Sequence, residues 1–571
     1  MYCSKCGNSV SDTDKFCDKC GARLHDEKLK CPNCGKELIE NAKFCTYCGN
    51  KTVCSENQTI ADNLGSLDQN TSGISNSTTN DKLSKFDNFL NLFKNKKIIV
   101  ICGVIFILLV GIFSFKLMNP SKSRTVMIYM VGSNLETDIG LATVDLSALD
   151  YEKISSHKMK VVLMAGGTTA WKNNYIDVNK TSIYELTKNG FVEVDSRDIT
   201  NMGSSDNLSY YLNYVHKNYK SNKYDFIYWN HGGAVDGSEY DDFYSDNLKL
   251  VDMKKGFENS PFKEKNKLEI VSFRTCLNST IEVANIYQDF AEYLVASEEV
   301  TRGSVFGSAL EFLNDVNDTD NAVEFGKKQI ENYKNTITAV CNYQNKTDLE
   351  ENYCLDSTYS VVDLDKVEPI KSSLDKFSAD LHDKINQSYN DMAKIRSNVR
   401  QYGDDSLVYD MIDLYDLSNK FSSYSKDNAT KLQNAIGSAV VYNWSTNDFS
   451  HGLSVYFPYN GDIFLKTYGD YSASKNYNNL ISDFSNLKKN TSSTVFADFS
   501  SKNNVDVKNN TKESADVEIK LTDEQAKNFA KARYFVFSDN KDGYYNVLYR
   551  GNTVKLENNT LKVDVKGKML R

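Results

Sequence analysis

The sequence predicts an α/β fold built on a mostly parallel central sheet, and three observations carry that expectation. Two short polar signatures each close an apolar run: Tyr224-Asp225-Phe226-Ile227-Tyr228-Trp229-Asn230-His231-Gly232-Gly233 and Glu269-Ile270-Val271-Ser272-Phe273-Arg274-Thr275-Cys276. Further apolar runs at Val126 to Val131, Lys160 to Ala165 and Tyr293 to Ser297 read as strands, and helical stretches such as Ser209 to Lys217 and Ile281 to Phe290 lie between the runs. Runs that are apolar throughout belong to strands covered on both faces, which is the habit of parallel sheets. Such a sheet brings His231 and Cys276 to one edge, at the strands' C-terminal ends, where open α/β folds place their sites.

Ahead of that domain stands a cysteine-rich head. Of thirteen cysteines in 571 residues, eight fall in the first 48. They form Cys3-x-x-Cys6-Gly7, Cys17-x-x-Cys20-Gly21, Cys31-x-x-Cys34-Gly35 and Cys45-x-x-Cys48-Gly49, repeating with a 28-residue period. Each knuckle offers two thiolates, so two knuckles complete one tetrahedral site, and residues 1–50 read as a double zinc ribbon holding two structural zinc ions. The alternative is a disulfide scaffold, which a reducing compartment disfavours. Modules this small lack a core of their own and fold by binding metal.

Residues 51–93 are rich in Ser, Thr, Asn and Asp and read as a flexible tether, in which Cys54 has no evident partner. Ile98 to Phe115 is an uncharged stretch of eighteen residues, enough for one membrane-spanning helix within residues 94–118. It begins too far from the N-terminus for a cleavable signal peptide, so a signal anchor is expected. Lys94, Lys96 and Lys97 flank it on one side and Lys116, Lys122 and Arg124 on the other, a small asymmetry. The cysteine-rich head is the better guide, and it places the N-terminus in the cytoplasm and the remainder outside a cell membrane crossed once.

The main α/β domain is expected over residues 124–488, with a helical stretch from Lys366 to Arg396 packed on its core. From residue 492 to 571 the composition shifts to Asn, Lys and Asp with short alternating segments at Asp516 to Leu521, Tyr534 to Ser538, Tyr544 to Tyr549 and Leu561 to Val565, a small β-rich domain. Cys341 and Cys354 lie thirteen apart; a disulfide and two free thiols are both compatible with the spacing. A net charge of −9 and a pI near 5.4 argue against a nucleic-acid partner. No zinc-peptidase, P-loop or dinucleotide signature occurs.

The chemistry explains why a histidine and a cysteine would share an edge. A thiol is only slightly ionised at neutral pH, so a nucleophilic cysteine needs an imidazole to take its proton and return it to the leaving amine. His231 is the base and Cys276 the nucleophile in that reading, and the backbone N–H groups of Gly232 and Cys276 are the candidate oxyanion hole. Of six histidines, His25, His157, His216 and His382 stand in polar surroundings; His451, before Gly452-Leu453-Ser454-Val455-Tyr456-Phe457-Pro458, is the rival and reads as a turn residue.

From Arg124 to Phe484 the ordered set of segments resembles the clostripain-like cysteine peptidases, which share the caspase, gingipain and legumain type of fold. The set comprises Thr125-Val126-Met127-Ile128-Tyr129-Met130 with Gly132-Ser133-Asn134-Leu135-Glu136, Gly166-Gly167 with Trp171, Asn201-Met202-Gly203, Asn230-His231-Gly232-Gly233, Cys276-Leu277, and Tyr293-Leu294-Val295-Ala296-Ser297-Glu298-Glu299. Tyr359-Ser360-Val361-Val362-Asp363-Leu364, Ile412-Asp413-Leu414-Tyr415 and Gly452 to Pro458 complete it. The resemblance implies a caspase-like α/β/α sandwich, a His231–Cys276 dyad, and hydrolysis of peptide or protein substrates through an acyl-enzyme. Relatives of this kind can depend on calcium; Glu239-Tyr240-Asp241-Asp242 with Asp246 offers oxygen ligands, and is read here as an acidic surface loop.

One departure stands out. Where the family commonly has Phe-Asp-Ala-Cys, this chain has Phe273-Arg274-Thr275-Cys276. That aspartate is associated in the family with a primary specificity pocket for Arg or Lys, so Arg274 inverts the charge. In an extended segment residues two apart point to the same side, placing Arg274 with Cys276, and Arg302 is expected near the same pocket. Two outcomes are open: cleavage after Asp or Glu, or neutralisation of Arg274 by Glu298 or Glu299, leaving a pocket for small or apolar residues. The expectation is therefore a membrane-anchored cysteine endopeptidase of non-basic specificity, with a cytoplasmic protein as partner of the ribbons. The alternative is a non-catalytic surface receptor or assembly protein that retains the peptidase fold.

Overall fold

A computed structural model describes residues 124–303, 307–347, 357–403, 409–446, 450–458, 466–491, 505–508, 514–529, 534–539, 545–551 and 554–566. The eight ribbon cysteines, the tether, the apolar stretch Ile98 to Phe115 and Cys354 lie outside the described residues. Among the described residues no helix is long and apolar enough to cross a membrane.

The chain lays down β1 (Arg124–Val131), β2 (Met159–Gly166), β3 (Lys180–Thr187), β4 (Gly190–Asp198) and β5 (Lys223–Trp229), then the hairpin β6 (Ser238–Asp241) and β7 (Asp246–Leu248). β8 (Leu268–Arg274), β9 (Ala291–Ala296), β10 (Thr358–Asp363), β11 (Gln401–Tyr402), β12 (Met411–Asp413), β13 (Val440–Ser445) and β14 (Ser454–Tyr456) follow. Nine of them form one sheet in the order β13-β10-β9-β8-β5-β1-β2-β3-β4. The five central strands, β9, β8, β5, β1 and β2, run parallel. β3 and β4 on one side, and β10 and β13 on the other, add antiparallel edges.

The period of two along each buried strand decides the layers. Met127, Tyr129, Phe226, Tyr228 and Phe273 face one core, which the helices Ser205–Asn218, Leu250–Glu258, Ile281–Tyr287 and Val367–His382 close. Val126, Ile128, Ile227, Trp229 and Ile270 face the other, closed by Leu141–Ser147, Tyr151–Ser156 and Ala322–Thr347. Both faces are covered, so the strands read as continuous apolar runs.

The helical stretch Lys366 to Arg396 is two helices. The apolar stripe Ile370, Leu374, Phe377, Leu381 ends at His382, and a second helix, Ile385–Ser397, begins after Asp383 and Lys384. Cys341, on helix Ala322–Thr347, is disulfide-bonded, and its partner lies outside the described residues. Near the C-terminus, Val505–Lys508, Ser514–Lys520, Thr560–Lys566 and Val554–Glu557 form a four-stranded antiparallel sheet, and Tyr534–Asp539 pairs with Tyr545–Gly551.

Register brings the parallel strands level at their C-terminal ends: Met130 pairs with Trp229, Trp229 with Arg274, and Val131 with Gly166. The loops after β1, β2, β5 and β8 therefore share one edge. At the opposite ends Arg124 is buried, with Nη1 donating to Asp225 at 2.9 Å and Nη2 to Glu269 at 2.7 Å.

Candidate active site

His231 and Cys276 meet through the backbones of their loops. A Cβ added to Gly232 would lie 2.0 Å from the carbonyl oxygen of Cys276 and 2.5 Å from its nitrogen, so no side chain fits there. The glycine after the histidine is thus required by the close approach of the two strand-end loops. Asn230 shapes the turn from beneath: its Nδ2 donates to the Val131 carbonyl, and its Oδ1 accepts from the His231 N–H. Glu239 N–H donates to the His231 carbonyl at 3.2 Å and Gly233 N–H to Gly237 at 2.7 Å, which ties the loop to β6 while leaving Gly232 N–H without an acceptor among the described residues. Cys276 N–H also donates to no acceptor among the described residues. Two adjacent unengaged donors beside a thiol are the arrangement an oxyanion needs.

The nucleophile's loop is pinned from below. Thr275 Oγ1 donates to Asn278 Oδ1 at 2.6 Å, Leu277 takes a φ of 62°, and Leu277 N–H donates to Glu299 O at 3.2 Å. Cys276 Sγ lies 3.6 Å from the Thr301 carbonyl oxygen and 3.7 Å from its hydroxyl, and makes no hydrogen bond to His231 among the described residues. Desolvation lowers the His231 pKa below the ordinary imidazole value, although the residue keeps more than a third of its surface accessible. The ring is therefore a neutral base at neutral pH.

Arg274 reaches the same threonine. Its Nη1 is 3.5 Å from Thr301 Oγ1, so the guanidinium and the thiol flank one hydroxyl. Arg274 is 7% exposed and its Nε has no hydrogen-bond partner. It lines a narrow cleft with Arg302, Gln329, Asn332, Tyr333 and Tyr359. The floor is polar and satisfied: Ser272 Oγ donates to Gln329 Oε1, Gln329 Nε2 to Tyr359 OH, and Tyr359 OH to Phe273 O.

Among the described residues neither Glu298 nor Glu299 forms an ion pair with Arg274. Glu298 accepts from Gly452 N–H at 2.8 Å, and Glu299 accepts from Gly403 and Val300 N–H and pairs with Arg400 at 3.5 Å. Both turn toward the β11, β12 and β14 segment because its amides would otherwise lack acceptors. The carboxylate that feels Arg274 is Asp145, buried and bonded to Trp229 Nε1 and Ala309 N–H. Burial pushes its pKa up while Arg274 opposes that shift without an ion-pair contact.

Other expected residues fall elsewhere. His451 stacks on Tyr415 with ring centroids 4.2 Å apart, and its Nδ1 meets Asp413 Oδ1 at 3.1 Å; it is a paired residue and not a simple turn position. The acidic stretch is not a surface loop. Asp241 is buried and accepts from Met202, Phe243 and Tyr244 N–H, and Glu239 is buried with neither carboxyl oxygen hydrogen-bonded. Its backbone N–H bond to His231 draws Glu239 inward, at a φ of 60°. Among the described residues no group of three or more His, Cys, Asp or Glu side chains is arranged to hold a cation. No local pattern marks the roles of Asn134, Thr301 and Asp145 in the sequence; only the position of Asn134 just after a strand end points to the edge it shares.

The family described as Clostripain family matches residues 128–509, and a double zinc ribbon family matches residues 3–49. Clostripain from Hathewaya histolytica is 27% identical over 342 residues, which is 52% of this chain and 62% of that protein. The chain thus spans less than two thirds of that relative. Among solved structures, a secreted C11 cysteine protease from Bacteroides thetaiotaomicron in complex with an irreversible peptide inhibitor is 15% identical, with 63% of this chain and 99% of that one covered and a TM-score of 0.47. An inactive zymogen C11 protease from Parabacteroides distasonis is 15% identical, with 64% and 97% covered and a TM-score of 0.42.

Proposed function

The chain belongs to the clostripain family, and from that premise we propose that it is a cysteine endopeptidase in which Cys276 is the nucleophile and His231 the base, with a primary pocket that selects against Arg and Lys. The observation that supports the pocket is the meeting of Arg274 Nη1 and Cys276 Sγ at Thr301 Oγ1. A guanidinium beside the nucleophile repels a cationic side chain and pairs with a carboxylate, so cleavage after Asp or Glu is expected. Arg302 on the same cleft adds positive charge.

The chemistry proceeds in two halves. His231 takes the Cys276 proton, and the thiolate adds to the scissile carbonyl carbon while the N–H groups of Gly232 and Cys276 hold the oxyanion. The carbon–nitrogen bond breaks and the imidazolium protonates the departing amine, leaving a thioester. Water then gives a proton to His231, its oxygen adds to the thioester carbon, and the sulfur leaves and recovers its proton. The thiol, 3.6 Å from the Thr301 carbonyl oxygen, must turn toward the imidazole for that proton transfer.

Cys276→Ala and His231→Ala should each lower peptide hydrolysis by about 10³-fold or more while the fold persists. Activity within about tenfold of wild type in either folded variant would place the chemistry elsewhere.

The donor set of the head, four Cys-x-x-Cys-Gly knuckles, suits zinc: Cys3, Cys6, Cys17, Cys20, Cys31, Cys34, Cys45 and Cys48 would hold two ions that fold the head. Metal analysis under reducing conditions should find about two zinc per chain. The uncharged stretch Ile98 to Phe115 supports a single span with the ribbons cytoplasmic and the peptidase outside. Protease shaving of intact cells should remove the chain beyond Arg124 and spare the head; an exposed head with a protected peptidase contradicts this topology.

A further inference from the structure

His231 is held by a residue that the dyad does not include. Its Nε2 lies 2.7 Å from the amide oxygen of Asn134, 97 positions earlier in the chain. Asn134 stands on the short helix Ser133–Thr137 that begins directly after β1. That entry is fixed at several points: Gly132 N–H donates to Gly166 O at 2.9 Å, Ser133 N–H to Gly167 O at 3.0 Å, and Thr168 Oγ1 to Ser133 O at 2.9 Å. Ser133 is held at a φ of 44°, a left-handed conformation costly for a residue with a Cβ. The loop therefore presents Asn134 in one place, level with the end of β5, because β1 and β5 are adjacent and in register up to Met130 and Trp229.

An amide oxygen only accepts, so this contact requires the proton on Nε2 and leaves the lone pair on Nδ1. The same contact persists after His231 is protonated, since Nε2–H donates in both states. The partner is a neutral amide, not a carboxylate, so it orients the ring while favouring its charged form far less than a carboxylate would. Desolvation is the cause of the lowered His231 pKa. We propose that Asn134 is a positioning residue of this enzyme, fixing the Nε2–H tautomer of His231 so that the basic Nδ1 serves Cys276 and the leaving amine.

The test compares Asn134→Ala and Asn134→Asp with wild type in the full chain, reading kcat, KM, and the pH dependence of Cys276 alkylation by iodoacetamide. The alanine variant should lose about 10- to 100-fold in kcat with KM within about twofold, because misorientation of the base affects the reaction more than binding. The aspartate variant keeps the acceptor and should recover most of kcat. Its added charge should move the acid limb of alkylation up by about one pH unit or more, since a carboxylate at Nε2 favours imidazolium. If Asn134→Ala does not fold, the aspartate variant alone decides, through that shift. A folded alanine variant with wild-type kcat overturns the proposal, and so does an aspartate variant with an unmoved acid limb. The proposal rests on the His231–Cys276 reading: retained activity in Cys276→Ala breaks that reading, whereas an inactive Cys276→Ala beside a wild-type-like Asn134→Ala breaks this proposal alone.

Discussion

Two buried arginines stand at opposite ends of the same parallel strands, and their surroundings differ. Arg124, at the start of β1, donates to Asp225 and Glu269 and to the Asp320 carbonyl. Arg274, at the end of β8, has one 3.5 Å contact to a hydroxyl and no ion pair among the described residues, while the Nε of both arginines is without a partner there. A buried guanidinium normally carries its countercharge with it. Arg124 does, and so belongs to the frame. Arg274 lacks one in contact, lines a cleft beside the thiol, and so is suited to receive a countercharge from a ligand. The framing cluster is itself costly: burial and the neighbouring Glu269 hold the Asp225 pKa at about 7 despite the ion pair.

Substitutions at the two positions should separate frame from site. Arg124→Met strands Asp225 in the interior, while Glu269 keeps Lys223, and should cost about 3–5 kcal/mol in chemical denaturation. Arg274→Met should cost clearly less than that, because Asp145 loses a favourable charge at a distance but no ion-pair contact, and keeps its hydrogen bonds from Trp229 and Ala309. Its effect should be an approximately 10²-fold fall in kcat/KM for peptides with Asp or Glu before the scissile bond. A large stability loss at Arg274, or a small one at Arg124, would break the comparison.

Glu239 sharpens it from the carboxylate side. It is buried and unbonded, and burial raises its pKa well above the ordinary value. A raised folded value means that stability from this group is present below the unfolded pKa, ordinarily about 4.5, and is lost as pH rises through the folded one. Glu239→Met should therefore stabilise the protein by about 1–3 kcal/mol near neutral pH and flatten that part of the stability profile. The smallest effect concerns His231. Its lowered pKa predicts an acid limb of kcat/KM below the ordinary imidazole value of 6.5, and a limb above that value contradicts the desolvated base.

What the sequence displays follows from locality. The five central strands are legible because burial on both faces makes each an unbroken apolar run, and His231 and Cys276 are legible because each directly ends such a run. Asn134 is not, since its contact with His231 depends on β1 lying beside β5, a long-range pairing no local pattern encodes. Glu239 misleads for the opposite reason: acidic neighbours suggest solvent, while one backbone bond to His231 draws it inside. Glu298 and Glu299 are near Arg274 in sequence, yet amides from residues 403 and 452 claim them first.

The most direct test is cleavage-site profiling of the full chain against a diverse peptide library, with Cys276→Ala as control. The account predicts cuts after Asp or Glu, no enrichment of Arg or Lys, and loss of all cuts in the control. Strong preference for Arg or Lys, or cuts that survive Cys276→Ala, would contradict it.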